Sequence, residues 1–597
     1  FPFFFFLGQK ELVADVYRTI KREKILFIQA PTGTGKTIST LFPAVKAVGE
    51  GLADKIFYLT AKTITRTIAR ETFQILQEYG YQGRVITLTA KEKLCLCEEM
   101  DCNPLHCPYA KGHYDRVNEA VFDLLKKEQD ITRERLIEQA EKFQVCPFEM
   151  SLDTTLWVDS IICDYNYLFD PNVYLKRFFS ESVKEEFIFL VDEAHNLVER
   201  GREMYSATLY KEDFLSIKKI LKGHSQTCVK ELERCNKHLL ELKRECRTYQ
   251  ILDNISGLLF SFLQLCVAME EFFLKDINLP EKKEVQEFYL ELRHFLNIYE
   301  RVDENYVIYT EQVPNGKFKV KLYCVNPAAN LQECLEKGRS TIFFSATLLP
   351  IQYYKKLLST KEDNYAVYAQ TIFKQSQQFL AIGKEVSSKY SRRTEQEFQK
   401  IADYIYEAAK AKKGNYMVFF PSYKMMEQVQ KKFLEREKIL EEMDCICQEN
   451  AMPEQAREQF LEAFLEKRDK TLIGFCIMGG IFSEGIDLKQ EALIGVIIVG
   501  TGLPQVSNER EILQQFYEKK EDSGFAYAFR YPGMNKVLQA AGRLIRTMED
   551  KGMILLLDER FLQKEYQYLF PREWNNYQIV TLSQVRSVME TFWDNNY

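Results

Sequence analysis

Nowhere in the 597 residues is there an unbroken run of 18 or more apolar residues, which excludes an evident membrane-spanning helix. The aromatic start, Phe1 to Leu7, is too short to cross a bilayer and has no charged region before it, so no signal peptide is expected. Fixed-period repeats and low-complexity tracts are also missing beyond that start, which removes solenoids and disordered arrays. An excess of positive charge is missing too, since 80 Lys and Arg face 86 Asp and Glu for a net charge of -6. That excludes a uniformly basic surface but leaves room for a local basic channel. Within the cysteine-rich stretch, the paired C-x2-C spacing of a zinc ribbon is absent. What remains is ordinary globular material, 46% hydrophobic and 28% charged, long enough for roughly three to five domains.

Short β-branched and aromatic runs at 25–29, 55–59, 85–88, 160–164, 187–192 and 340–345 end in polar or glycine-rich turns and read as buried parallel strands. Between the first two, Leu41, Val45 and Val48 recur at helical spacing, so the pattern is βαβ and the sheet is doubly wound. From about 204 to 301 the texture changes to charged helical stretches with almost no strand signal, a helical insertion. Strand-like runs resume at 306–309 and 318–324 and lead back to the first unit's last strand. A second α/β unit begins near Thr394, with strands at 415–421, 471–475, 492–499 and 552–557, and 349–394 reads as a linker.

Three motifs carry chemistry. Ala30-Pro31-Thr32-Gly33-Thr34-Gly35-Lys36-Thr37 lies between a strand and a helix, where backbone N–H groups and the helix N-terminus form an anion cradle. Lys36 would reach the β- and γ-phosphates of ATP and Thr37 would hold Mg2+. Asp192 and Glu193 emerge at a strand's carboxyl end, where one acid can anchor the Mg2+ shell and the other orient the attacking water. His195 in the same motif suggests coupling between nucleotide and second lobe. In Gln539-Ala540-Ala541-Gly542-Arg543-Leu544-Ile545-Arg546 two guanidinium groups stand three residues apart, which on a helix places them on one face, able to meet phosphate across a cleft.

With these motifs the chain resembles the superfamily 2 DNA helicases, specifically the bacterial members of the XPD/DinG group of iron–sulfur helicases, over nearly its whole length. Gly8-Gln9 resembles the adenine-reading start, Thr60-Ala61-Lys62-Thr63 the first-lobe strand contact, and Ser345-Ala346-Thr347 the motif coupling hydrolysis to movement. Phe419-Phe420-Pro421-Ser422-Tyr423 resembles a second-lobe strand-contact motif, and Gly480 to Asp487, with Gly485 and Asp487, the motif that senses nucleotide and strand. Relatives carry a more polar lead-in where Phe4-Phe5-Phe6-Leu7 stand here.

The resemblance implies two RecA-like α/β motor lobes in tandem. The expected parts are motor lobe 1 in three pieces (1–93, 150–204, 302–355), an iron–sulfur domain at 94–149, a helical arch at 205–301 and motor lobe 2 at 356–597. The implied activity is ATP-dependent 5′→3′ translocation on single-stranded DNA with separation of forked duplexes in repair or replication, in a bacterial cytoplasm at the nucleoid. A translocase or nuclease-associated ATPase that unwinds poorly is the competing reading. Some bacterial relatives carry a nuclease-like domain upstream, and the start without Met leaves place for one. Protein partners are not indicated.

Five of the fifteen cysteines lie between Cys95 and Cys146. In a large nucleotide-binding chain a metal is expected rather than disulfides, and on spacing alone both zinc and an iron–sulfur cluster stay open. The resemblance implies a [4Fe-4S] cluster on Cys95, Cys102, Cys107 and Cys146, with Cys95 chosen over Cys97 because Lys91-Glu92-Lys93-Leu94 resembles the lead-in to the family's first ligand. Beside it, Tyr109, Lys111, His113, Tyr114 and Arg116 alternate aromatic and basic side chains, a combination that stacks bases and tracks phosphates.

Overall fold

The computed structural model describes residues 8–594 except 62, 181–184, 276–278, 438, 484–487, 489, 521 and 548. The expectations for Lys62, Gly485 and Asp487 lie outside the described residues; of Thr63, only its place at the start of helix Thr63–Glu78 is described.

The first sheet is built from β1 (Ile25–Gln29), β2 (Lys55–Leu59), β3 (Val85–Thr87), β4 (Asp130–Ile131), β5 (Ser160–Cys163) and β6 (Phe187–Asp192), completed by two strands from much later in the chain. β1, β2, β5 and β6 are buried at every residue, as a sheet covered by helices on both faces requires, and their unbroken apolar runs follow from that. Phe27, Phe57 and Phe189 fill one face, and Leu26, Ile28, Tyr58 and Leu190 the other.

The chain next forms β7 (Ala207–Tyr210), β8 (Tyr249–Ile251), β9 (Tyr306–Gln312) and β10 (Phe318–Cys324), an antiparallel sheet in the order β7-β10-β9-β8. Helices Lys211–Leu221, Gln226–Glu245, Ser256–Phe273 and Lys282–Tyr299 lie within this stretch and share the apolar core of Phe214, Phe262, Phe288 and Phe295. The runs at 306–324, expected with the first lobe, thus pair with each other and with two strands of the helical insertion, one at its start and one in its middle. Long-range pairing decided this, and it leaves no local mark in sequence.

β11 (Ser340–Ser345) then inserts between β1 and β6, and β12 (Tyr365–Tyr368) pairs with β1, giving the parallel order β12-β1-β11-β6-β2-β5-β3-β4. The first lobe's sheet therefore reaches past 355. The second lobe starts with β13 (Gln378–Gly383), inside the expected linker, and continues through β14 (Asn415–Phe420), β15 (Met443–Cys447), β16 (Thr471–Ile477), β17 (Gly495–Val499), β18 (Gly552–Leu557) and β19 (Gln578–Val580). These make a second all-parallel sheet, β15-β16-β14-β17-β18-β13-β19. Both sheets have the doubly wound character expected of two RecA-like lobes.

Helix Asn508–Lys519 ties the second lobe to the antiparallel sheet. Glu509 accepts from Tyr309 and Lys321, Asn508 donates to Glu311, and Arg510 donates to Glu199 of the first lobe.

Candidate nucleotide site and cysteine-rich module

The loop after β1 carries two glycines in the left-handed conformation that a phosphate-binding turn would use. Gly33 and Gly35 have φ of +81° and +70°, a region that side chains reach only with strain, and Gly35 caps helix Lys36–Gly49. A Cβ on Gly35 would lie 2.7 Å from the Gln9 amide, so Gln9 packs directly on the loop. Thr34 donates to the Pro31 carbonyl at 2.8 Å, and Lys36 Nζ turns back to the Ala30 carbonyl at 3.2 Å. Burial lowers the Lys36 pKa, opposed by the charges of Glu193 and Asp192.

Asp192 ends β6, two strands from β1, with β11 between them. Tyr58 on β2 donates to Asp192 Oδ2 at 2.5 Å and is also bonded to the Thr37 side chain, so one buried phenol joins the two expected Mg2+ ligands. Burial, then the neighbouring Glu193 charge, raises the Asp192 carboxyl to about 7.

Glu193 has φ +49° and ψ +42°. For a residue with a Cβ this left-handed conformation costs about 1–2 kcal/mol, strain that here sits at the candidate catalytic carboxylate. Ser345, at the end of β11, donates to Glu193 Oε2 at 3.2 Å and lies 2.7 Å from His195 Nδ1. The other imidazole nitrogen, Nε2, is 2.7 Å from Gln539 Nε2 of the second lobe. This contact joins the His195 imidazole of the first lobe to the Gln539 amide of the second. A second bridge runs from Asn535 to the Thr347 carbonyl at 3.2 Å and to the Tyr354 hydroxyl at 2.7 Å.

Arg543 and Arg546 do not share a helical face. Helix Tyr531–Ala541 stops before them and Gly542 caps it, so Arg543 sits in the turn that follows and Arg546 in irregular chain beyond it. Arg543 Nε donates to the Ser483 carbonyl at 3.0 Å, and Asp550 accepts from the Arg546 and Thr547 backbone amides. Lys36, Glu193, His195, Gln539, Arg543 and Arg546 nonetheless line one cavity of about 350 Å³ between the lobes.

All five clustered cysteines line a second cavity of about 220 Å³. Cys146 caps helix Pro147–Thr154, its amide donates to His113 Nδ1 at 3.2 Å, and Lys91 is bonded to the Cys102 thiol. Cys97, outside the expected ligand set, has its sulfur 3.8 Å from that of Cys107. Among the described residues no three His, Cys, Asp or Glu side chains converge on a point that could hold a single metal ion. The five thiols share the lining of one cavity instead.

The expected strand contacts divide. Tyr114 is exposed, and Tyr109 is half-buried on the cysteine cavity. Arg116 donates through Nε to the Phe143 carbonyl and through Nη2 to the carbonyls of Lys111 and Gln144. Thr60 is fully buried against Thr65. Ser422 caps helix Tyr423–Leu434 through the Met425 amide, and Tyr423 bonds to Gln448 and the Glu449 carbonyl. Tyr58, Tyr165 and Asn535 escaped the sequence reading; only the proximity of Tyr165 to Asp164 in an otherwise apolar strand end hinted at a polar task.

The family pattern described as DEAD_2 matches residues 69–214, and the helicase C-terminal domain pattern matches 405–577. The ATP-dependent DNA helicase XPD of Sulfolobus acidocaldarius is 25% identical over 573 residues, covering 93% of this chain and 95% of the relative. The chain belongs to the XPD/DinG-like superfamily 2 helicases. The general transcription and DNA repair factor IIH helicase subunit XPD/RAD3 of Saccharomyces cerevisiae is 22% identical, with 94% of this helicase and 86% of the yeast chain covered. A solved XPD helicase superposes with a TM-score of 0.62 at 19% identity, over 96% of this helicase and 99% of the other, which shows the shared fold.

Proposed function

We propose that this helicase couples ATP hydrolysis to 5′→3′ movement on single-stranded DNA and to separation of forked duplexes, in repair or replication at the bacterial nucleoid. The observation that carries the proposal is the polar chain Glu193–Ser345–His195–Gln539, which links the candidate catalytic carboxylate of one lobe to the other across the cavity shared by Lys36 and Arg546. Gly33, Thr34, Gly35 and Lys36 hold the phosphates and Gln9 reads the base. Thr37 and Asp192 would hold Mg2+, which when bound would supply neutralising charge to the nucleotide's phosphates. Glu193 orients the attacking water, and Arg543 and Arg546 meet the charge that develops on the transferred phosphoryl group. Loss of that charge after hydrolysis weakens the grip between the lobes, and the cleft reopens. Relatives of known name are ATP-dependent DNA helicases, which supports DNA as substrate.

Cys95, Cys102, Cys107 and Cys146 would hold a [4Fe-4S] cluster, with Cys97 as a fifth thiol on the same cavity. The cluster's contribution when bound is to brace this module as the wedge beside Tyr109 and Tyr114.

Strand-displacement assays on 5′- and 3′-tailed duplexes, with a Lys36→Ala control, test the reading. The wild-type chain should open only the 5′-tailed duplex, and Lys36→Ala should abolish DNA-stimulated ATP hydrolysis while the fold persists. Unchanged turnover in that variant, or opening of the 3′-tailed duplex, refutes the motor or its polarity respectively.

A further inference from the structure

We propose that Tyr165 is a positioning residue that sets the backbone of Glu193, and that Asp164 beside it conveys to that backbone the state of the first-lobe strand contact and the cysteine module. The inference rests on the reading of Glu193 as the residue that orients water.

Tyr165 is fully buried. Its hydroxyl donates to the carbonyl of Asp192 and lies 3.1 Å from that of Glu193, so it holds the two peptide units on either side of the Glu193 Cα, where the left-handed turn lies. A phenol has one hydrogen and here faces two acceptors, so it can satisfy one carbonyl fully only by loosening the other. The shared hydrogen thus sits at the base of the candidate catalytic side chain. The Asn196 amide adds a third bond to the Glu193 carbonyl at 2.9 Å, which fixes the far side of the turn.

Asp164 connects this element to two others. Its carboxylate accepts from Arg66 at 2.9 Å, and Arg66 stands in helix Thr63–Glu78, directly after the strand-contact segment. Arg200, in the helix that follows the Asp192 motif, lies 3.9 Å from Asp164 and donates to Asn166 at 2.9 Å. On the other side, Cys146 begins helix Pro147–Thr154, which leads after one short turn into β5 and so to Asp164 and Tyr165. Only 17 residues separate Cys146 from Asp164, most of them in helix or strand, so a displacement of the module or of helix Thr63–Glu78 moves Tyr165 and the carbonyls it holds.

The test is steady-state ATP hydrolysis by the full chain with and without single-stranded DNA, alongside DNA affinity and thermal unfolding. Tyr165→Phe keeps the ring and removes the hydroxyl. It should lower the DNA-stimulated kcat about tenfold while KM for ATP and the DNA Kd stay within about twofold, the signature of a lost transition-state alignment. Asp164→Asn should lower the same stimulated rate, and the double variant should fall no further than the worse single one, because both act through one element. A Tyr165→Phe chain with wild-type kcat, a loss confined to KM, or multiplicative losses in the double variant overturns the proposal. If Tyr165→Phe fails to fold, Asp164→Asn decides alone, and an unchanged stimulated rate there overturns it. A wild-type chain that hydrolyses no ATP would instead overturn the motor reading, and this one with it.

Discussion

Gly33→Ala probes the closed cleft with one methyl group. Gly33 sits at φ +81°, where an Ala costs about 1–2 kcal/mol. For a unit of lobe size that lowers the unfolding midpoint by about 2–4 °C per kcal/mol, a modest loss. The larger effect is geometric. The new Cβ would lie 2.6 Å from Phe373 Cζ and 2.9 Å from the carbonyl oxygen of Arg546, where ordinary contact begins at 3.4 Å. Phe373 is a side-chain tip and can swing aside, but the Arg546 backbone, held by Asp550, must retreat by about half an ångström. A misplacement of about 1 Å in a positioned group costs about 100-fold in rate, so half of that corresponds to about 1.4 kcal/mol, or about tenfold in kcat. Rapid-quench ATP hydrolysis with saturating single strand reads it directly. Pairing Gly33→Ala with Phe373→Ala separates the two overlaps, since relief of the ring alone should not restore the rate. Full kcat in Gly33→Ala, or full rescue by Phe373→Ala, would refute the argument that the loop and the Arg546 backbone are in working contact.

Asp192 makes the ligand-free protein's stability depend on pH. Its carboxyl is raised to about 7 by burial and Glu193, so between about pH 4 and 7 the folded state holds a proton that the unfolded chain has released. This contribution is present at low pH and is lost as pH rises through 7. Asp192→Asn should flatten that slope in calorimetric scans, and an unaltered slope would be contrary to it. For the cysteine module, protein purified without oxygen should be brown and contain about four irons. A colourless preparation with stoichiometric zinc would contradict the cluster, and Cys102→Ser should impair duplex separation more than ATP hydrolysis.

The phosphate loop, the Asp192-Glu193 pair and the buried strands were legible because each is local: a glycine at positive φ, a strand ending in acids, an apolar run covered on both faces. The same local logic failed at Arg543 and Arg546, where helical spacing continues in sequence past the Gly542 cap that ends the helix. It failed again at 306–324, a hairpin whose outer partners, Ala207–Tyr210 and Tyr249–Ile251, lie far upstream across intervening helices. Arg116 carries structural bonds that no sequence pattern announced, from Nε and Nη2 to three carbonyls.

Sequence by itself therefore determined the two α/β lobes, the glycine turn after the first strand and the gathering of five thiols in one insertion, because these follow from periodicity and residue chemistry over short spans. Tertiary structure alone decided that Tyr58 joins Thr37 to Asp192, that Tyr165 holds the turn at Glu193, and that His195 meets Gln539 of the second lobe. Each of those contacts joins strands or lobes distant along the chain, and hydrogen bonds of that kind depend on distances of a few ångströms that no spacing in the sequence encodes.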